Sequence, residues 1–106
     1  MRSRYAAYAA GEVDYLIQTT HPDSPYLEPD VRAWRTSLRE HCRQTTFERL
    51  EVLAAEVDAD GQRGHVSFRA TLRQAGRDAG FTERSLFLLA EGRWMYVSGE
   101  FLDEQQ

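Results

Sequence analysis

Hydrophobic positions change their period part-way along the chain. Over residues 3–10 the alanines and tyrosines favour helix, with Tyr5 and Tyr8 three apart and Ala9 beside them on one face. Gly11 reads as a stop. A second helix is expected over residues 12–19, where Val13, Leu16 and Ile17 form an inward stripe and Glu12 and Asp14 suit the positive end of the helix dipole. His21-Pro22 ends it, because the residue before a proline is driven out of the α region. Residues 23–28 read as loop. Pro29, at a first-turn position, opens a third helix that buries Val31, Trp34 and Leu38 and ends near Arg43.

Beyond that the period becomes two. Residues 47–57 are apolar and β-branched enough for a strand, and DADG at 58–61 signals a turn. In the next strand, over residues 64–72, Val66, Phe68, Ala70 and Leu72 point one way, while His65, Ser67, Arg69, Thr71 and then Arg73 point the other. Residues 74–80, with Gly76 and Gly80, read as another turn. The last apolar stretch, residues 83–101, folds back on itself about Glu91 and Gly92. Phe87, Leu89, Trp94 and Tyr96 then share one face of the hairpin, and Leu86, Leu88, Met95 and Val97 share the other. Both faces are apolar and both need cover.

The predicted fold class is α+β: three N-terminal helices packed on a curved four-stranded antiparallel sheet, one domain over residues 1–106. Helices can cover only one side of that sheet. The Leu86, Leu88, Met95 and Val97 face is therefore expected to form the interface of a two-fold homodimer, sheet against sheet. The polar tail at residues 103–106 is expected to fray.

Composition narrows the function classes. A chain of 106 residues with 42% hydrophobic content suits one core. Its 17 acidic against 13 basic side chains, a formal charge of -4, oppose docking along a phosphate backbone, so nucleic acid is disfavoured as a partner. Cys42 is the single cysteine; it excludes an internal disulfide and fits a reducing, cytoplasmic setting. No apolar run is long enough for a signal peptide or a membrane span, so no membrane partner is expected.

Four stretches, MRSRYAAY at 1–8, VDYLIQTTHP at 13–22, GHVSFRATL at 64–72 and ERSLFLLAEGRWMYVSGE at 83–100, together resemble the YchJ-like family. Its central domain has the cone-shaped α+β fold of nuclear transport factor 2-like proteins. Relatives usually flank this domain with a zinc-binding SEC-C segment carrying CPCGSG-type motifs, which this sequence lacks; no metal and no cofactor are expected. The resemblance implies a cone whose helices and concave sheet enclose a pocket. It brings no activity with it, because folds of this kind serve isomerases, dehydratases, hydrolases, ligand binding and docking alike.

Within such a cone the ligand-pocket candidates are Tyr5, Tyr8, Tyr15, Trp34, Phe87, Trp94 and Tyr96, aromatic side chains that either line a cavity or fill the core. Glu83 and Arg84 must point to opposite faces, and an inward Arg84 would hold an anionic ligand or pair with Asp14 or Glu12. Asp14 with His21 is the acid-base candidate, a carboxylate orienting an imidazole, against the plainer reading of a first-turn dipole partner and a turn residue. Arg32, Arg35, Arg39 and Arg43 form a basic stripe on the third helix, nearly balanced by Glu28, Asp30 and Glu40. His21, His41 and His65 fall on different elements without metal-ligand spacing. Three functions follow in order of preference: a noncatalytic module binding a small apolar or anionic ligand or docking a protein, a small proton-transfer enzyme of isomerase or dehydratase type, and an RNA- or ribosome-associated accessory.

Overall fold

The computed structural model describes residues 1–102; the expectation for residues 103–106 lies outside the described residues. Helix α1 (Arg2–Ala10) forms where four alanines supply high propensity. It closes on Gly11 in the left-handed region, with Gly11 N–H donating to Tyr8 and Glu12 N–H to Ala7, so the last carbonyls are satisfied. Helix α2 (Val13–Gln18) buries Val13 and Leu16. Leu16, 1% exposed, contributes about 1.5–3 kcal/mol by its burial.

Helix α3 (Val31–Gln44) begins two residues later than Pro29, because Asp30 is the cap: its Oδ1 accepts from Ala33 N–H at 3.1 Å. Val31, expected inside, is 43% exposed, and no residue of this helix is fully buried. Trp34, Leu38 and His41 carry its inward stripe, the His41 ring lying edge-on to Tyr8 and Phe47.

Helix α3 runs without a loop into the sheet. The strands are β1 (Thr45–Val57), β2 (Arg63–Gln74), β3 (Arg77–Asp78), β4 (Phe81–Ala90) and β5 (Arg93–Phe101), all antiparallel in the order β1-β2-β4-β5. The short β3, paired with the end of β2, makes five strands where four were expected. The segment read as a plain turn is long enough to pair two residues. The α+β class stands, with three helices on a curled, open antiparallel sheet. Phe68, Ala70 and Leu72 of β2 form the buried centre, as their alternation required, and Tyr5, Phe47, Leu50, Val66 and Phe81 pack around them.

The final hairpin turns at Glu91 and Gly92, both at positive φ (52° and 80°), which matches the right-handed twist of the strands it joins. Phe87 faces Tyr96, Leu88 faces Met95 and Leu89 faces Trp94. Leu86 then faces Ser98, which leaves Val97 as the extra residue of a bulge, buried at 8% exposure. Residues after α2 lie along the free edge of β5: Tyr96 N–H donates to Thr19 at 2.7 Å, His21 N–H to Tyr96 at 2.8 Å, and the Ser24 hydroxyl to the Val97 carbonyl at 2.5 Å. The edge strand is covered by the chain's own loop.

Candidate functional site: the cone cavity

Between the helices and the concave sheet lies a cavity of about 650 Å³. Phe68, Ala70 and Leu72 form its floor, Tyr5 and Tyr8 of α1 and Trp34 and Leu38 of α3 its walls, and the exposed Tyr26 and Phe101 its mouth. Each wall follows from a pattern in sequence. Tyr8 is four residues after Arg4 and Leu38 four after Trp34, so each pair shares one face of its helix.

The polar groups inside are few. Arg4 is 6% exposed, and its Nη1 donates to the Leu16 carbonyl at 3.1 Å and to Thr19 Oγ1 at 2.6 Å. Its guanidinium carbon sits 4.7 Å from the centre of the Tyr96 ring, a cation–π contact. Thr19 Oγ1 in turn donates to the Tyr15 carbonyl, so the loop that fixes the Tyr96 backbone also anchors Arg4.

Facing this group across the cavity wall is strand β4. Phe81, Glu83 and Ser85 alternate inward along it, and the Ser85 hydroxyl, fully buried, donates to Glu83 Oε2 at 2.5 Å. Opposite lies Gly99, where an added Cβ would come within 2.1 Å of that same oxygen. The missing side chain makes the space in which the carboxylate lies.

Burial is the main reason that the phenols of Tyr8 and Tyr96 ionise well above the usual tyrosine range. At Tyr96 the negative charge of Glu83 is the next cause, and Arg4 opposes it as the smallest influence. At Tyr8, Arg4 opposes the shift more strongly than Glu83 adds to it. Both hydroxyls are neutral donors at physiological pH.

Tyr5, Tyr8, Trp34 and Tyr96 line the cavity, and Tyr15, Phe87, Trp94 and Arg84 do not. Tyr15 turns its hydroxyl to Ser3 at 2.8 Å on the outside of the helices. Phe87 is buried edge-on to Tyr96 at 5.8 Å, packing behind the cavity wall. Trp94 lies near the hairpin tip, 41% exposed, its ring against Gly64 where no Cβ stands in the way. Arg84 falls on the outer face and reaches Glu56 at 3.4 Å, because strand alternation gives the inward position to Glu83.

Asp14 and His21 do not meet. Asp14 Oδ1 accepts from Arg35 Nε at 2.9 Å, and His21 Nδ1 accepts from the Asp23 backbone N–H at 3.0 Å. Neither lines the cavity. In the arginine stripe, Arg35 thus pairs with Asp14 and Arg43 with Glu40, which neutralises half of it. Among the described residues no group of His, Cys, Asp and Glu could hold a metal, and no helix is long and apolar enough to cross a membrane.

Sequence reasoning missed Arg4 and Ser85 and left Glu83 undecided. The Arg4–Tyr8 spacing was the available signal for the first. Period two puts Glu83 on the face of Phe87 and Arg84 on that of Leu86 and Leu88, so an inward Arg84 runs against the alternation when the Phe87 face is the pocket side.

Over residues 1–99 the chain matches the family described as YchJ, middle NTF2-like domain. It belongs to that family. A YchJ relative, a UPF0225 protein of Pectobacterium carotovorum subsp. carotovorum, is 40% identical over 93% of this chain. The chain spans only 63% of that relative's length, and 59% of a Vibrio vulnificus UPF0225 protein that is 34% identical over 99% of it. Among solved structures, the SEC-C motif containing protein RPA3114 of Rhodopseudomonas palustris is 37% identical and superposes with a TM-score of 0.76, covering 97% of this chain and 76% of that one. The YchJ domain is thus an NTF2-like cone with an apolar cavity.

Proposed function

We propose that this YchJ domain is a noncatalytic binding module whose cone cavity takes a small, largely apolar molecule. One observation carries the reading: a cavity of about 650 Å³, the size of an ordinary small-molecule site, walled mainly by aromatic and aliphatic side chains, with Arg4 and Glu83 as its charged side chains. The test is native mass spectrometry of the gently purified protein. A discrete small-molecule adduct that leaves on denaturation is expected. Protein that carries no adduct, and takes up none from a panel of apolar small molecules, counts against the reading.

A second reading, proton-transfer catalysis, is favoured by the same carboxylate. Glu83 could take a proton from a carbon acid while the Tyr8 or Tyr96 hydroxyl holds the resulting oxyanion. It needs Glu83 in place of Asp14 and His21, which stand outside the cavity. Deuterium exchange into a bound ketone that disappears in Glu83→Gln supports it, and exchange at the uncatalysed rate removes it.

A further inference from the structure

Two charged side chains line the cavity, Arg4 and Glu83; Arg4 is held by two hydrogen bonds and the Tyr96 ring, whereas Glu83 is held by one neutral hydroxyl. Among the described residues its carboxylate has no ion pair, and the hydrogen bond it accepts comes from the neutral Ser85 hydroxyl. Half-buried among aromatic walls and without a cation, the carboxylate is placed to receive one from a ligand. The carboxylate lies in the space that Gly99 leaves open and is held by a hydroxyl that is itself completely buried.

Arg4 does not neutralise it. Its Nη1 is occupied by Leu16 and Thr19, and its flat face rests on Tyr96. Of the two charges, Glu83 bears more on the Tyr96 hydroxyl and Arg4 more on that of Tyr8, so a cation's place is at the Tyr96 end of the cavity. Around it stand the rings of Tyr8, Trp34, Phe81, Tyr96 and Phe101, whose faces attract cations. An anionic ligand would meet the Glu83 charge and find only the remaining donors of Arg4.

We infer that the ligand is a lipophilic amine bound as its ammonium ion, with the charge on the Glu83 carboxylate and the hydrocarbon against the aromatic walls. The inference rests on the binding role proposed above and names its ligand class. A neutral molecule of the same shape leaves Glu83 unpaired, and a carboxylic acid adds a like charge beside it.

Three probes with one skeleton separate these cases: 4-phenylbutylamine, 4-phenylbutanol and 4-phenylbutyrate, titrated calorimetrically and followed by amide and side-chain NMR shifts. The amine is expected to bind at least about tenfold tighter than the alcohol, as one charge-assisted hydrogen bond would give, with the acid weakest. Glu83→Gln, which keeps the side chain's shape, should bring the amine down to the alcohol's affinity. Gly99→Ala, whose new methyl displaces the carboxylate, should do the same while leaving the Trp34 and Tyr96 signals in place, and it serves if Glu83→Gln fails to fold.

Equal binding of amine and alcohol, tightest binding by the acid, or an amine preference that survives Glu83→Gln overturns this inference and leaves the binding role standing. Binding of none of the three overturns it as well. The binding role falls with it only if the native protein also carries no adduct.

Discussion

Arg4 shares one face of α1 with Tyr8, and its guanidinium closes the cavity from behind by tying α2 and the Tyr96 ring to α1. The burial of Tyr96 has a measurable consequence. Its phenol, and that of Tyr8, ionise above the roughly 10 of a free tyrosine because they are buried. The unfolded chain gives up these protons first. The stability they contribute is therefore fully present below pH of about 10 and is lost as the pH rises above it. Urea midpoints measured upward from that pH should fall, and Tyr96→Phe should flatten the fall. An unchanged slope in Tyr96→Phe would show that this phenol is not held back by the fold. The same scale explains what could not be read in advance. Period two puts Glu83 on the face of Phe87 and Arg84 on the other, but the buried hydroxyl of Ser85 and the open space at Gly99 that hold the carboxylate are set by packing alone.

At the scale of elements, most boundaries follow from local chemistry. Alanine runs, Gly11, and the alternation around Phe68 each specify their own structure. One feature did not, for a tertiary reason, and one boundary turned on a cap. The Val97 bulge depends on the 19–24 loop lying along β5, a contact between segments more than 70 residues apart. The start of α3 depends on the Asp30 side chain, which as a cap outcompetes Pro29 as the first-turn residue. Since α3 buries none of its residues completely, it relies on that cap more than a core helix would. Asp30→Ala is expected to cost about 1 kcal/mol in urea unfolding and to speed amide exchange at Ala33 and the residues after it. Unaltered exchange there would mean that the packing of Trp34, Leu38 and His41 holds this wall of the cavity without the cap.

For the whole molecule, the Cα radius of gyration is 14.0 Å in a body of 43 × 40 × 20 Å, against roughly 13 Å for a compact chain of this length. The excess reflects a sheet longer than its helical cover. Along the outer face most rows are polar, with Glu56 against His65 and Glu51 against Arg69, and the half-buried Leu86, Leu88 and Met95 form an apolar corner at the hairpin. Val97, expected to extend that corner, is buried in the bulge. On the strands beyond the helices, Leu53, Val57 and Trp94 are 54%, 61% and 41% exposed. We propose that a second copy of the chain covers the Leu86, Leu88 and Met95 corner, since apolar surface beside charged rows suits a self-complementary two-fold contact. Sedimentation at micromolar concentration should then give twice the 12.2 kDa chain mass. Leu88→Glu should return it to one chain without changing the circular dichroism, and Trp94→Glu should leave the dimer intact. The reverse pattern moves the contact to the uncovered end of the sheet, and a monomer at every concentration removes it.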